Sequence, residues 1–258
     1  MAATPATFAE LLRTAVTEPG TISTAYSAFH NYSLGNQLLA LGQCLARGIQ
    51  PGPLATFPRW KELGRHVVKG QHAVTLCIPV TVKRTSGTGE VEEEHCFTRF
   101  IYKPHWFVLA QTDGDPIEAP IAPSWDKSTA LTALGTEEIA FTLLDGNVQG
   151  YAVERKISVS PVAALPWKTT FHELAHVLLG HTSEGQHSDD ERTPRDLREC
   201  EAEAVALLCC EALGLSGAPE ARGYIQSWWG AGNEIPERSS QKILKVADQI
   251  LKGGEVER

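Results

Sequence analysis

"TTFHELAHVLLGH", residues 169–181, decides the fold of the C-terminal half, because its apolar residues recur at helical spacing. The stripe that faces a core would consist of Phe171, Leu174, Ala175 and Leu178. His172 and His176 lie elsewhere on this helix, which we expect to span residues 167–179. Their spacing of four residues brings two imidazoles to one side, where both can bind one Zn²⁺. Glu173 flanks that site and can accept a proton from zinc-bound water, so we predict that it is the catalytic base.

A further zinc ligand is expected in "RECEAEAVALLCCEALG", residues 198–214. This second helix is predicted to begin near Pro194 and to stop at Gly214. Its inward-facing stripe would consist of Glu199, Ala202, Ala206, Cys209 and Leu213. Glu203 lies one turn after Glu199, and two carboxylates on a buried face are costly unless a cation neutralises them. The pair therefore indicates a bound cation.

These two helices together predict a zinc site with an open position for water. We expect Zn²⁺ to be bound by His172, His176 and Glu199, with Glu203 orienting one of the bound imidazoles. Glu203 as the third ligand is the alternative. Glu201 is expected to point away from the pair and to be solvated.

The other polar residues near the motif have weaker arguments. His181 lies five residues after His176, one short of the six that the HExxHxxGxxH motif requires, so we interpret it as a helix-end histidine. Tyr224 and His187 are candidates for stabilising an oxyanion, without a spacing that selects either.

Length and composition are those of a folded soluble protein. The chain has 258 residues, 42% hydrophobic and 21% charged, which allows two modest domains or one large one. No stretch of eighteen apolar residues occurs, so we expect no membrane association. The six cysteines form no CxxC pair and have apolar neighbours, which favours reduced thiols and a cytoplasmic protein.

Charge is distributed unevenly along the chain. Residues 1–135 carry 11 Lys/Arg and 11 Asp/Glu, whereas residues 136–258 carry 12 and 20. Within residues 47–103 there are nine basic residues and five acidic ones, four of which lie in "EVEEE" at 90–94. Apart from that acidic loop, the segment is basic enough to contact nucleic acid.

The order of predicted elements indicates an α+β protein of two domains. Two N-terminal helices are followed by a short helix near residues 60–63 and by two strands that form a hairpin, residues 72–84 and 94–111. A proline-rich stretch, residues 116–127, is the predicted linker. The domains would then be 1–115 and 128–258, the second containing one strand in "GYAVERKISVS" and a last helix near residues 239–253.

The basic segment interleaves cations with aromatic residues, as proteins that bind single-stranded DNA do. The candidate DNA-binding residues are Arg59, Trp60, Lys61, Arg65, Lys69, Lys83, Arg84, Arg99, Lys103 and Trp106. Trp60, Phe100 and Trp106 could equally be core residues, and Phe97, Phe100 and Tyr102 are assigned to neither core nor surface.

In order and spacing, the following stretches resemble those of the ArdC-type antirestriction proteins: "NYSLGNQLLALGQCLARG" at 31–48, "FTRFIYKPHWFVLAQ" at 97–111, "FHELAHVLLGHT" at 171–182 and "RECEAEAVALLCCEALGL" at 198–215. The likeness covers most of the chain, and its most distinctive piece is "WKELGRHVVKG" at 60–70; "GYIQSWW" at 223–229 extends it beyond the zinc-site helices. The resemblance implies an N-terminal domain that binds single-stranded DNA and a C-terminal gluzincin-like metallopeptidase domain. It also implies that His172, Glu173, His176 and Glu199 are the metallopeptidase residues.

Three functions remain open from the sequence. The first is an antirestriction protein of a plasmid or phage that binds single-stranded DNA and hydrolyses an unknown protein substrate. The second is a shield that occupies DNA or a restriction enzyme and has only a structural zinc. The third is a soluble peptidase that cleaves a regulator and does not bind DNA.

Overall fold

The structure is a computed structural model that describes residues 6–86, 93–118, 120–143, 147–182 and 193–256, with the side chains of residues 83–98 excluded. It confirms a mixed α+β fold. The helices are α1 Phe8–Thr17, α2 Thr21–Phe29, α3 Leu34–Arg47, α4 Phe57–Glu62, α5 Lys127–Leu134, α6 Pro166–Leu178, α7 Arg195–Leu213, α8 Ala218–Gly230 and α9 Glu237–Gly253. The strands are β1 Leu54–Thr56, β2 Arg65–Val67, β3 Val74–Ser86, β4 Glu93–Val108, β5 Thr112–Gly114, β6 Ser124–Trp125, β7 Glu137–Glu138, β8 Gly150–Val153, β9 Lys156–Val159 and β10 Glu255–Val256.

The described chain forms two compact units whose limits differ from the expected domains. Leu39–Pro120 forms the first unit, and Ala6–Leu38 together with Ile121–Arg258 forms the second. The break near residue 120 falls within the expected linker. Residues 6–38, which we expected in the N-terminal domain, instead lie with the C-terminal unit, because their apolar faces are buried there.

The first unit is built on the antiparallel hairpin of β3 and β4. Its main sheet has the order β1-β4-β3, and β2 pairs separately with β5. Gln43 on α3 exchanges two hydrogen bonds with the backbone of Thr75, at 2.8 and 2.9 Å, and so fixes the helix against the hairpin. Leu76 of β3 and Val108 of β4 are fully buried. The hairpin was predicted correctly from two strand-like stretches joined by a polar loop.

The second unit is built around α7, which packs against α2, α6, α8 and α9. All residues from Cys200 to Cys210 are buried, so α7 is enclosed on every side and not only along one stripe. A three-stranded sheet of order β7-β9-β8 lies beside α6. This packing holds the two helices that carry the predicted zinc ligands next to each other.

The N-terminal helices are joined to α7 by a buried ion pair. Arg222 on α8 donates to the carboxylate of Glu211 and to the carbonyls of Ala15 and Val16 at the end of α1. The other Glu211 oxygen accepts from the amides of Gly20 and Ile22, at 2.8 and 3.1 Å, at the start of α2. The pair of Arg222 and Glu211 therefore provides hydrogen-bond partners for carbonyls at the end of α1 and for amides at the start of α2.

Several predicted elements differ in detail from the observed ones. Three N-terminal helices are present where two were expected. "GYAVERKISVS" is a hairpin of β8 and β9 and not one strand, because Glu154 adopts a positive φ of 52° in the turn between them. Within the described ranges, no helix is both long and apolar enough to cross a bilayer.

Candidate metal centre

The helix α6 presents its two histidines beside a buried face. Pro166 occupies the first turn, where its missing amide costs nothing. Phe171, Leu174 and Ala175 are fully buried, as their spacing predicted. The side chains of His172 and His176 are 16% and 15% exposed, which leaves both accessible from one side.

The predicted zinc ligands come together at the separations that a metal requires. The Nε2 atoms of His172 and His176 are 3.0 Å apart. The Oε2 atom of Glu199 on α7 lies 3.4 Å from the first and 3.6 Å from the second. Ligands about 2.0–2.1 Å from a tetrahedral Zn²⁺ are roughly 3.3 Å from each other. These three residues are the metal-ligating group found in the described part of the chain, and they fit a divalent cation.

The carboxylate of Glu203 lies behind His172. Its Oε1 atom is 3.4 Å from His172 Nδ1 and 2.6 Å from the ammonium of Lys168. Glu203 is buried, and burial raises its pKa, but the adjacent His172 and the hydrogen-bonded Lys168 outweigh burial and lower it overall. This is the position expected for a residue that orients an imidazole, and it makes Glu199 the better-placed third ligand.

A second acidic residue, Glu201, lies behind His176 and contradicts the prediction that it is solvated. Its side chain is 3% exposed, and its Oε2 atom is 3.0 Å from His181 Nε2. The other His181 nitrogen, Nδ1, is 2.9 Å from His176 Nδ1. The prediction failed because it took α7 to have one buried stripe, whereas α7 is buried on all sides.

The turn that ends α6 brings His181 back to His176. Gly180 has a positive φ of 78°, which favours glycine. The amide of His181 donates to the carbonyl of His176 at 2.9 Å, and the amide of Gly180 donates to that of Val177 at 3.2 Å. This pair of bonds is a Schellman motif. A glycine followed by a histidine at the helix end was the sequence signal for this placement.

The predicted base, Glu173, is buried directly beside strand β8. It is 7% exposed, and burial raises its pKa, although the neighbouring His172 and His176 act in the opposite direction. A Cβ atom added to Gly150 would lie 3.0 Å from Glu173 Oε1. The absence of a side chain at Gly150 therefore makes room for the carboxylate.

The metal-ligand cluster is electrostatically matched to a cation. Hydrogen bonds from His172 and His176 lower the pKa of Glu199 well below its usual range. Burial lowers the pKa of His172, but the carboxylates of Glu199 and Glu203 outweigh burial and raise it to about 9. Positive charge is thus stabilised at the point where the ligand atoms meet.

Neither oxyanion candidate is established by its surroundings. The pKa of Tyr224 on α8 is raised, first by partial burial and then by the negative charges of Glu199 and other nearby groups, so its hydroxyl keeps its proton. The side chain is 42% exposed. His187 lies outside the described residues.

Two of the predicted DNA-binding residues have structural roles in the first unit. Trp60 is 1% exposed, and its Nε1 donates to the carbonyl of Phe107 at 2.8 Å, so it belongs to the core and cannot stack on a base. Arg65 donates to the side chain and carbonyl of Thr112, at 2.8 and 3.0 Å, and to the carbonyls of Gly114 and Asp115. Its guanidinium joins β2 to β5 instead of facing solvent.

The remaining candidates lie on or near the surface. Arg59, Lys61, Lys69 and Arg99 are exposed, and Lys103 and Trp106 are half-buried. Lys83 and Arg84 lie in β3, but their side chains are outside the described part. Arg59 is paired with Glu62 at 2.9 Å.

Sequence reasoning left Phe97, Phe100 and Tyr102 of β4 unassigned between core and surface, and the structure exposes two of them. Phe100 is 67% exposed and Tyr102 is 41% exposed. They are two residues apart on β4, so they share one face of the hairpin. Their cross-strand partners on β3 are Pro79 and Cys77. Phe97 lies among the side chains that the structure does not describe.

Comparison with known proteins identifies relatives of both the N-terminal part and the whole fold. Residues 13–104 match a family model described as the N-terminal domain of anti-restriction factor ArdC. The metal-free crystal structure of the antirestriction protein ArdC from the R388 plasmid is similar, with a TM-score of 0.55 at 19% identity over 95% of this chain and 94% of that one. The Mn(II)-bound structure of the same protein has a TM-score of 0.54 at 18% identity, over 95% of this chain and 96% of that one. No curated protein matches the chain.

These matches confirm the resemblance to ArdC that the sequence motifs indicated. The family model covers the segment that contains "WKELGRHVVKG". The structural likeness extends over nearly the full length of both chains and shows that they share a fold.

Proposed function

We propose that the chain is an ArdC-like antirestriction protein with a divalent-metal peptidase site and a surface for single-stranded DNA. The observation that carries the peptidase proposal is the cluster of His172, His176 and Glu199, whose ligand atoms are 3.0–3.6 Å apart beside the buried Glu173. R388 ArdC was crystallised with Mn(II), which supports a divalent cation. Two imidazoles and one carboxylate are donors that suit Zn²⁺, the metal we propose.

The proposed reaction is hydrolysis of a peptide bond in a protein substrate. A bound cation would supply Lewis-acid polarisation of the scissile carbonyl. Glu173 takes a proton from the attacking water and passes it to the leaving amine, while the water oxygen bonds to the carbonyl carbon. Burial, which raises the pKa of Glu173, makes it a stronger base than an exposed carboxylate. Glu203 holds His172 in place, itself held by Lys168.

The metal site is tested by measuring zinc per chain after dialysis against trace metal. We expect one zinc in the natural protein and a large loss in Glu199→Ala. Glu220→Ala is the matched control, because Glu220 is an exposed carboxylate of the same unit and should leave the zinc content unchanged. A natural protein that takes up no zinc and no manganese would refute the peptidase proposal.

The catalytic role is tested with Glu173→Gln in the metal-loaded protein. Loss of the base should lower the rate of peptide hydrolysis by about 10²–10⁴-fold while the metal content stays the same. Cleavage is measured by mass spectrometry on a mixture of unfolded proteins. DNA protection is measured by plasmid transfer into a restricting host. A Glu173→Gln variant that protects as well as the natural protein would favour the shield function instead.

For single-stranded DNA, we propose the exposed aromatic pair Phe100 and Tyr102 as the stacking surface. Aromatic side chains stack on bases of any sequence, and the exposed cations Lys61, Lys69 and Arg99 belong to the same unit. Trp60 and Arg65 are excluded from this surface because both are engaged within the fold.

The DNA surface is tested by fluorescence anisotropy with a labelled oligothymidine. Phe100→Ala and Tyr102→Ala should each weaken binding by about 5- to 150-fold, since a stacked base contributes about 1–3 kcal/mol. Leu45→Ala is the control, because Leu45 is 62% exposed in the same unit but not aromatic. If the natural protein and the three variants bind with equal affinity, Phe100 and Tyr102 do not form the DNA-binding surface. If the natural protein shows no salt-dependent binding to the oligonucleotide, the regulator-cleaving peptidase is the better function.

A further inference from the structure

His181 and Glu201, which have no role in the proposed reaction, are buried behind His176, one of the proposed metal ligands. The side chains of His181 and Glu201 are 8% and 3% exposed. His181 contacts His176 through Nδ1, at 2.9 Å, and Glu201 through Nε2, at 3.0 Å. One imidazole therefore connects the metal ligand to a carboxylate.

The hydrogen bonds in this series have only one consistent direction when His176 binds a metal. Its Nε2 atom faces His172 and Glu199, so its Nδ1 atom carries the proton of the neutral ring. That N–H donates to His181 Nδ1, which must then be unprotonated. The proton of neutral His181 is on Nε2, from which it donates to Glu201.

The carboxylate at the end of the series is itself held in place. The Glu201 carboxylate lies beside the side chain of Ser239 at the start of α9, which lowers the pKa of that carboxyl. The Schellman turn at Gly180 fixes the backbone of His181 against α6. Residues of α6, α7 and α9 thus converge on one arrangement of the two rings.

The two metal-binding histidines differ in how firmly they are oriented. His172 Nδ1 lies 3.4 Å from Glu203, and neither that nitrogen nor Glu203 Oε2 has a hydrogen bond of good geometry in the described structure. The contacts behind His176 are 2.9 and 3.0 Å long. The histidine–carboxylate series behind His176 is therefore the better-formed support.

We propose that His181 and Glu201 are positioning residues that fix the tautomer and ring orientation of His176 and thereby raise metal affinity. The inference rests on the metal site of the proposed function. Partners that orient a metal-binding imidazole typically change affinity by about 10- to 100-fold. His172 contacts the carboxylate of Glu203 directly, whereas His176 is connected to the carboxylate of Glu201 through the imidazole of His181.

The test measures the zinc dissociation constant by competition with a chromophoric chelator. His181→Leu and Glu201→Leu should each weaken zinc binding by about 10- to 100-fold. Glu201→Gln should restore binding to within about threefold of the natural protein, because the amide oxygen accepts the same hydrogen bond. His30→Leu is the control, since His30 is a buried histidine of the same unit that contacts Tyr26 and no metal ligand.

A measurement on the natural protein keeps the inference testable if the leucine variants do not fold. In the zinc-loaded protein, ¹⁵N NMR of the imidazoles should show His181 protonated at Nε2 only and His176 protonated at Nδ1. The opposite tautomer of His181 would overturn the inference, as would leucine variants that bind zinc as tightly as His30→Leu. A natural protein without zinc affinity would overturn the proposed function as well, so the two failures are distinguishable.

Discussion

Gly150 is the residue at which the backbone of strand β8 comes closest to the predicted base. A Cβ atom there would lie 2.6 Å from Thr169 Cγ2, 3.0 Å from Glu173 Oε1 and 3.0 Å from the carbonyl of Ser158. Contacts this short require a neighbour to move, and two of these three neighbours belong to α6. The glycine is therefore needed for space and not for an unusual φ.

Replacing Gly150 with alanine should lower both stability and activity. We expect a loss of about 1–3 kcal/mol in the free energy of unfolding, the usual cost of overpacking, together with slower peptide hydrolysis from a displaced Glu173. Urea unfolding and the mass-spectrometric cleavage assay measure the two effects. Gly223→Ala on α8 is the control, because its Cβ would meet nothing within 4 Å. It should be neutral or stabilise by up to about 1 kcal/mol.

At the scale of elements, α7 combines a buried central part, residues 200–210, with four glutamates that serve different partners. Glu199 contacts His172 and His176, Glu203 contacts His172 and Lys168, and Glu201 contacts His181. Glu211 forms the ion pair with Arg222 that supports the ends of α1 and α2. Each buried carboxylate is tolerated because it has a cationic or hydrogen-bonding partner.

The ion pair of Glu211 should be essential for the second unit. Glu211→Ala leaves the buried Arg222 without its counter-charge and the start of α2 without an acceptor, so we expect a loss of about 3–5 kcal/mol. Glu220→Ala removes an exposed carboxylate from the neighbouring helix and should change stability by less than about 0.5 kcal/mol. Equal urea midpoints for the two variants would show that the pair does not hold the N-terminal helices.

At the scale of the whole molecule, the described chain divides into two compact units with separate proposed ligands. The hairpin of β3 and β4 belongs to one unit, and α6 and α7 belong to the other. Metal binding stabilises the structure that forms the site, by about 2.7 kcal/mol at a free concentration 100 times the dissociation constant.

Hydrogen exchange should therefore reveal where a metal acts. Adding zinc should slow amide exchange in peptides from Pro166–Leu178 and Arg195–Leu213, because opening either helix breaks the site. Peptides from Leu76 to Val82 in β3 should exchange at an unchanged rate. The Glu199→Ala variant should show no zinc-dependent protection anywhere, and protection that persists in it would place the metal elsewhere.

How far the sequence predicts this protein depends on the range of the interactions involved. Helical spacing placed His172 and His176 together, and two strand-like stretches joined by a polar loop predicted the hairpin, because both signals arise within a few residues. The burial of Trp60 was left open and the structural use of Arg65 was missed, because both depend on β4 and β5, which lie more than forty residues later.

The sequence by itself determined the chemistry: two imidazoles and a glutamate on one helix, a carboxylate on the next, and an α+β fold. Tertiary structure decided which acidic residues support that chemistry and to which unit residues 6–38 belong. The physical reason is that a helix repeats its contacts every turn, whereas the identity of its buried faces depends on the elements packed around it. For α7, packing on all sides turned Glu201 from an expected surface residue into the buried partner of His181.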